Sequence, residues 1–136
     1  MEIIIKGRGV VRGEASGSAL VSKEPICFVG GINTKTGVLT EKGHELYGQC
    51  AAGKVLVFPT GKGSTGGAYV LFEAVSNGVG PCAIINCDIE QVTAVGCIIS
   101  EIPALDRLER NPIETIKTGD LIKVNATKGF IKVIQN

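Results

Sequence analysis

The sequence has 136 residues, of which 44% are hydrophobic, 20% charged and 4% aromatic, with a net charge of +1. A chain of this size can bury a real core, and one domain over residues 1–136 is the expectation. The near-neutral charge argues against electrostatic capture of nucleic acid or an anionic membrane, and the absence of tryptophan leaves few base-stacking platforms. No apolar run reaches the roughly 18 residues of a membrane helix and MEIIIKGRGV carries no signal-peptide pattern, so a cytoplasmic protein is expected.

In chain order, Glu2–Lys6 reads as a strand, and GRGVVRGEASGSALVS as short strands with tight turns or bulges. Arg8 and Arg12 in this stretch are candidate anion ligands, against the commoner fate of surface or turn arginines. Residues 26–30 read as another short strand. The long polar stretch GINTKTGVLTEKGHELYGQCAAG follows, and loops of this length in a compact domain usually carry function or cover a site. It holds the single histidine, His44, for which a surface or hydrogen-bonding role fits better than a metal-binding one.

Residues 54–58 form an apolar strand that runs into a turn with Gly61, Gly63, Gly66 and Gly67. Apolar Ala68, Leu71, Phe72 and Val75 at i, i+3, i+4 and i+7 predict a buried helix over residues 68–77, stopped by Asn77-Gly78 with Pro81 beyond. A second strand is expected over 82–86, parallel to the first because a helix joins them. The turn then sits at the carboxyl end of a parallel strand, where open α/β sheets place ligands and where free N–H groups favour an anion. Beyond it, residues 89–95 read as a short helix, 97–100 as a strand and EIPALDRLERNP as a turn-rich link. Leu121–Asn125 and Phe130–Ile134 read as a β-hairpin. The five cysteines form no Cys-x-x-Cys pair and are expected to be reduced core thiols, with no metal held by this chain.

Three motif readings compete for the turn. Gly61-x-Gly63-x-x-Gly66 with Asp88 downstream imitates a dinucleotide fingerprint, but too few residues follow Asp88 to complete a doubly wound fold. A phosphate-binding P-loop lacks its Ser or Thr, because Gly63 follows Lys62. The third reading is an active-site serine loop around Ser64, with a simple helix N-cap as the bland alternative. A phosphohistidine-type swivelling domain would need a histidine on this turn, which has none.

The run GHELYGQCAAGKVLVFPTGKGSTGGAYVLFE, continued by AIINCDIEQVTAVGCIISEIPALDRLE and preceded by GRGVVRGEASGSALVS, resembles the small subunits of the aconitase X dehydratases, most closely the archaeal phosphomevalonate branch. The resemblance extends over most of the chain and implies an α/β fold, the swivelling β/β/α domain of aconitase, in which a parallel sheet with helices packs on a second β layer. It also implies a large partner subunit whose own cysteines hold an iron–sulfur cluster of the 4Fe–4S type. This chain would supply Ser64 as the proton acceptor, with Lys62, Gly63, Thr65, Arg8 and Arg12 as candidates for binding substrate. The implied substrate is a phosphorylated hydroxy acid, (R)-5-phosphomevalonate, losing water on an archaeal route to isoprenoids. Members that dehydrate hydroxyprolines more often carry Arg at the position of Lys62. A hydroxyproline dehydratase subunit and a non-catalytic anion-binding lid are the alternatives.

Overall fold

The computed structural model describes residues 1–135. The chain opens with β1 (Glu2–Lys6), β2 (Arg8–Val11) and β3 (Glu14–Val21). After a long loop come β4 (Val55–Phe58), α1 (Gly67–Ser76), β5 (Ala83–Asn86), α2 (Gln91–Ser100), β6 (Ala104–Asp106) and α3 (Pro112–Thr115). A hairpin of β7 (Leu121–Asn125) and β8 (Phe130–Ile134) closes the chain, with the bounds the sequence predicts.

Strand order is β1-β8-β7-β3-β4-β5-β6-β2. Strand β3 serves two layers: residues 14–18 pair antiparallel with β7, and residues 19–21 pair parallel with β4. Strands β3, β4, β5 and β6 run parallel, whereas β2 returns antiparallel on the outer edge of β6. The period-2 alternation of side chains makes the layers. Leu56, Phe58 and Ile84 face Leu71, Ala74 and Cys97 of the helices. Val55, Val57, Ala83 and Ile85 face Ile122, Val124, Ile131 and Val133 of the antiparallel layer. Burying both faces of the central strands stabilises each large side chain by about 1.5–3 kcal/mol and explains why these strands read as unbroken apolar runs. The result is the expected arrangement of helices, parallel sheet and second β layer.

Several elements differ from the sequence reading. The apolar run at residues 97–100 is not a strand but the second half of α2, whose Thr93, Gly96 and Cys97 are buried at helical spacing. Its short apolar stretch Cys97-Ile98-Ile99 imitates a strand until packing against α1 decides the matter. The supposed turn-rich link contains β6, three fully buried residues inserted between β5 and β2. Residues 26–30 make only one parallel bridge, Ile26 to Gly61, although Ile26 and Phe28 are buried. Phe28 meets Phe58 edge to face at 6.2 Å and so braces the end of β4.

On α1 the buried line is Gly67, Ala68, Leu71 and Ala74, while Phe72, expected inside, is 43% exposed. The long loop is less polar in effect than in composition, since Ile32, Leu39, Leu46 and Ala51 join the helix-side core. The cysteines are all free, but only Cys97 is a buried core thiol, pushed up to about 12 chiefly by burial. Cys50 is exposed, and Cys27, Cys82 and Cys87 are partly exposed.

Candidate active site

Four connections leave the parallel strands on one edge of the sheet: residues 22–26, 59–66, 87–90 and 107–111. The second is the glycine turn. Its first half is pinned by hydrogen bonds from Ile26 N–H to Thr60 O at 3.2 Å and from Lys62 N–H to Ile26 O at 3.0 Å. Glycine is required at two positions by what surrounds them. A methyl group on Gly61 would run into the Glu90 carboxylate and the Thr93 hydroxyl, which hydrogen-bond each other at the start of α2. Gly63 has φ of +98° and lies so close to the Cys27 sulfur that a side chain would collide with it.

Between these constraints and α1 stands Ser64, exposed to solvent. It is not the N-cap. That position belongs to Gly66, which offers no side-chain cap. The Ser64 hydroxyl oxygen instead accepts a hydrogen bond from Gly66 N–H at 3.3 Å, and its carbonyl accepts from Gly67 N–H at 3.0 Å. The N–H groups of Ser64, Thr65 and Ala68 meet no acceptor among the described residues. The Gly66 donor on the serine oxygen, the free amides and the positive end of the α1 dipole all favour a negative charge at this point.

Lys62 projects toward the long loop, where its ammonium meets Glu41 at 2.9 Å. Burial by itself would raise the Glu41 carboxyl, but the hydrogen bond and charge of Lys62 outweigh that and hold it below the usual range. The same hydrogen bond raises Lys62. His44, buried at 7% exposure, fixes this loop. Its Nδ1 accepts from Leu46 N–H at 3.0 Å, which makes Nε2 the protonated nitrogen and the donor to Pro25 O, also at 3.0 Å. The hydrogen-bonding role expected for this histidine is what the structure has, in a buried rather than surface setting.

Sheet topology separates the two arginines that the sequence pairs. Arg8 lies opposite Asp106 and Val11 opposite Ala104, so β2 enters at the carboxyl edge and leaves at the far one. Arg12 therefore stands on the opposite edge from Ser64. Arg8 shares the serine's edge, but β2 is three strands from β4, roughly 14 Å at about 4.8 Å per strand. Its guanidinium is also engaged, with Nε and one terminal nitrogen each 2.8 Å from the Asp106 carboxylate. The structure thus gathers Lys62, Gly63, Ser64 and Thr65, sets Arg8 across the same edge, and leaves Arg12 apart.

Sequence reasoning missed Arg107, which takes a left-handed φ of 51° at the end of β6 and places its Nε 3.1 Å from Asp88. Along this edge each of Lys62, Arg107 and Arg8 has a carboxylate partner, so an anion bound by these three cations must share or displace those carboxylates. Glu41, Glu90, Thr93 and Cys27 also brace the turn unseen from the sequence. Only the pattern Glu90-x-x-Thr93 at a helix start signals its cap locally.

Asp106 yields a stability test. Burial pushes its carboxyl up, while Arg8 and the Ile89 N–H, 2.9 Å away, more than offset this and hold it below the ordinary value. A depressed folded-state value means stabilisation present above the unfolded value of about 3.9 and lost as pH falls through the folded one. Urea midpoints of the wild type are expected to drop below about pH 4, and Asp106→Asn to be less stable at pH 7 with a shallower acid loss. Parallel pH curves for the two proteins would refute this.

The family model described as the aconitase X swivel domain matches residues 4–133. A protein of Methanocella arvoryzae named phosphomevalonate dehydratase small subunit is 54% identical over 129 residues, covering 95% of this chain and 98% of that one. One of the same name from Methanosarcina acetivorans is 50% identical, covering 98% and 92%. Among solved structures, the crystal structure of Thermococcus kodakaraensis aconitase X in its holo-form superposes with a TM-score of 0.92 at 40% identity, covering 98% of this chain and 99% of that one.

Proposed function

Since the chain belongs to the aconitase X swivel-domain family, we propose that it is the small subunit of a phosphomevalonate dehydratase, a hydro-lyase of isoprenoid biosynthesis, with Ser64 as its proton acceptor. The likeness of 54% identity over nearly the whole chain supports the substrate, (R)-5-phosphomevalonate. The observation that carries the role of Ser64 is its hydroxyl, exposed among free amides at the carboxyl edge of the sheet rather than spent on capping α1.

Loss of water from a 3-hydroxy acid asks for two things: removal of a weakly acidic proton beside the carboxylate, and an electrophile for the departing hydroxyl. Ser64 meets the first demand if its oxygen is stabilised as an alkoxide by the Gly66 N–H, the free amides and the helix dipole. This chain does not fit the second. Among the described residues no three His, Cys, Asp or Glu side chains gather to hold a metal, and Cys27 beside Gly63 and Cys97 inside α2 stand apart. An iron–sulfur cluster of the kind the family implies belongs on the large subunit.

The division of labour is directly testable. The purified chain alone is expected to give no turnover of phosphomevalonate, and to give it once combined with the large subunit. Turnover by the chain alone would contradict the reading.

Lys62 is the cation nearest the serine in sequence and a candidate for the substrate's phosphate or carboxylate. Lys62→Met in the assembled enzyme is expected to lower kcat/KM at least about tenfold. An unchanged value would confine Lys62 to bridging Glu41 and the long loop.

A further inference from the structure

Helices α1 and α2 lie side by side on the parallel sheet, and the surface they turn away from it is apolar. A surface helix ordinarily puts charge on that side. Here α2 has no charged residue along its length and exposes Val95, Ile98 and Ile99 by 42%, 56% and 38%. Glu73 is the only charge on α1, which exposes Tyr69 and Phe72. A groove between the helices is lined by Ala68, Val95 and Ile99 and begins at Thr65, the neighbour of Ser64. Contiguous exposed apolar surface of this kind marks an interaction site.

We propose that this α1–α2 face is the docking surface for the large subunit, which meets it with an apolar, uncharged surface and in doing so covers the Ser64 turn. The proposal rests on the reading of the chain as a small subunit. Continuity between groove and turn chooses the occupant. Thr65, the neighbour of Ser64, lines the groove, so a partner seated there lies beside the serine turn, as the large subunit of this reading must. The partner surface set against α2 is apolar because a charge there would find no counter-ion along that helix, and Glu73 on α1 is the one charge the two helices carry.

The test measures the dissociation constant between purified small and large subunits. Ile98→Glu and Tyr69→Lys, at positions 56% and 73% exposed where thermal unfolding of the lone chain is expected to stay unchanged, are expected to weaken assembly at least about tenfold. Ile4→Glu, 60% exposed on β1 in the opposite layer, is expected to leave it unchanged. Wild-type affinity in both helix variants would overturn the proposal. So would a lone wild-type chain that sediments as a dimer and becomes monomeric on Ile98→Glu, which assigns the face to a second copy. Failure of the underlying reading shows differently, as wild-type subunits that do not assemble or do not turn over substrate.

Discussion

Ser64→Ala in the assembled enzyme is expected to lower kcat by about 10²- to 10⁴-fold, the usual contribution of a positioned proton acceptor, while KM changes far less. Folding survives the change, because the side chain is exposed and makes one hydrogen bond at 3.3 Å, worth at most about 1 kcal/mol. No cap is lost, since Gly66 occupies that position without side-chain help. Thr65→Ala is the matched control: it removes a similar hydroxyl one residue on, from a side chain that lines the interhelical groove. Its kcat is expected to stay near wild type, with any contribution of Thr65 to substrate binding showing in KM. A Ser64→Ala enzyme that keeps most of its kcat would make the serine a turn residue only and send the proton elsewhere.

Gly63→Ala is expected to cost about 10²-fold in kcat by moving the serine rather than removing it. Gly63 sits at φ of +98°, and any β-carbon there strikes the Cys27 sulfur. The turn must shift, and a displacement near 1 Å at a reacting group costs about that factor. Gly53→Ala separates the clash from the backbone strain. Its φ is +70°, with nothing within 4 Å of the added carbon, and it precedes β4 at the end away from the turn, so it carries a comparable conformational cost of about 1–3 kcal/mol without touching the turn. It should lose stability and keep kcat. Adding Cys27→Ala to Gly63→Ala removes the colliding sulfur and should recover part of the lost rate. Equal kcat in Gly63→Ala and wild type would show that the turn position does not govern the reaction.

The parts of the fold legible in the sequence are those whose signal is local. The hairpin around Thr127-Lys128-Gly129, the strand ending at Phe58 and the helix stopped by Asn77-Gly78 all announce themselves within about ten residues. The misread parts depend on distant neighbours. The run Cys97-Ile98-Ile99 has strand composition, and only packing against Leu71 and Ala68 makes it helix. Ala104–Asp106 is too short to show a period and becomes a strand because β5 and β2 flank it.

The site divides in the same way. The serine turn was visible from an apolar strand, clustered glycines and an apolar helix in succession, whereas the proton-acceptor role of Ser64 came with the family resemblance. Arg8 and Arg12 look equivalent in sequence, yet a strand of four residues carries them to opposite edges. The contacts that shape the turn, Lys62 with Glu41 and Gly63 with Cys27, join residues far apart in the chain and leave no local trace. Phe72 shows the limit of periodicity: it fits the apolar pattern of α1 but faces outward, on the surface assigned to the partner.

The most direct test follows the proton itself. Assembled enzyme in deuterated water is given the dehydrated product or substrate, and deuterium at the carbon beside the carboxylate is followed by NMR or mass spectrometry. Wild type is expected to exchange that position, and Ser64→Ala, assembled to the same extent, to lose the exchange while still binding substrate. Exchange at the wild-type rate in Ser64→Ala would contradict the account.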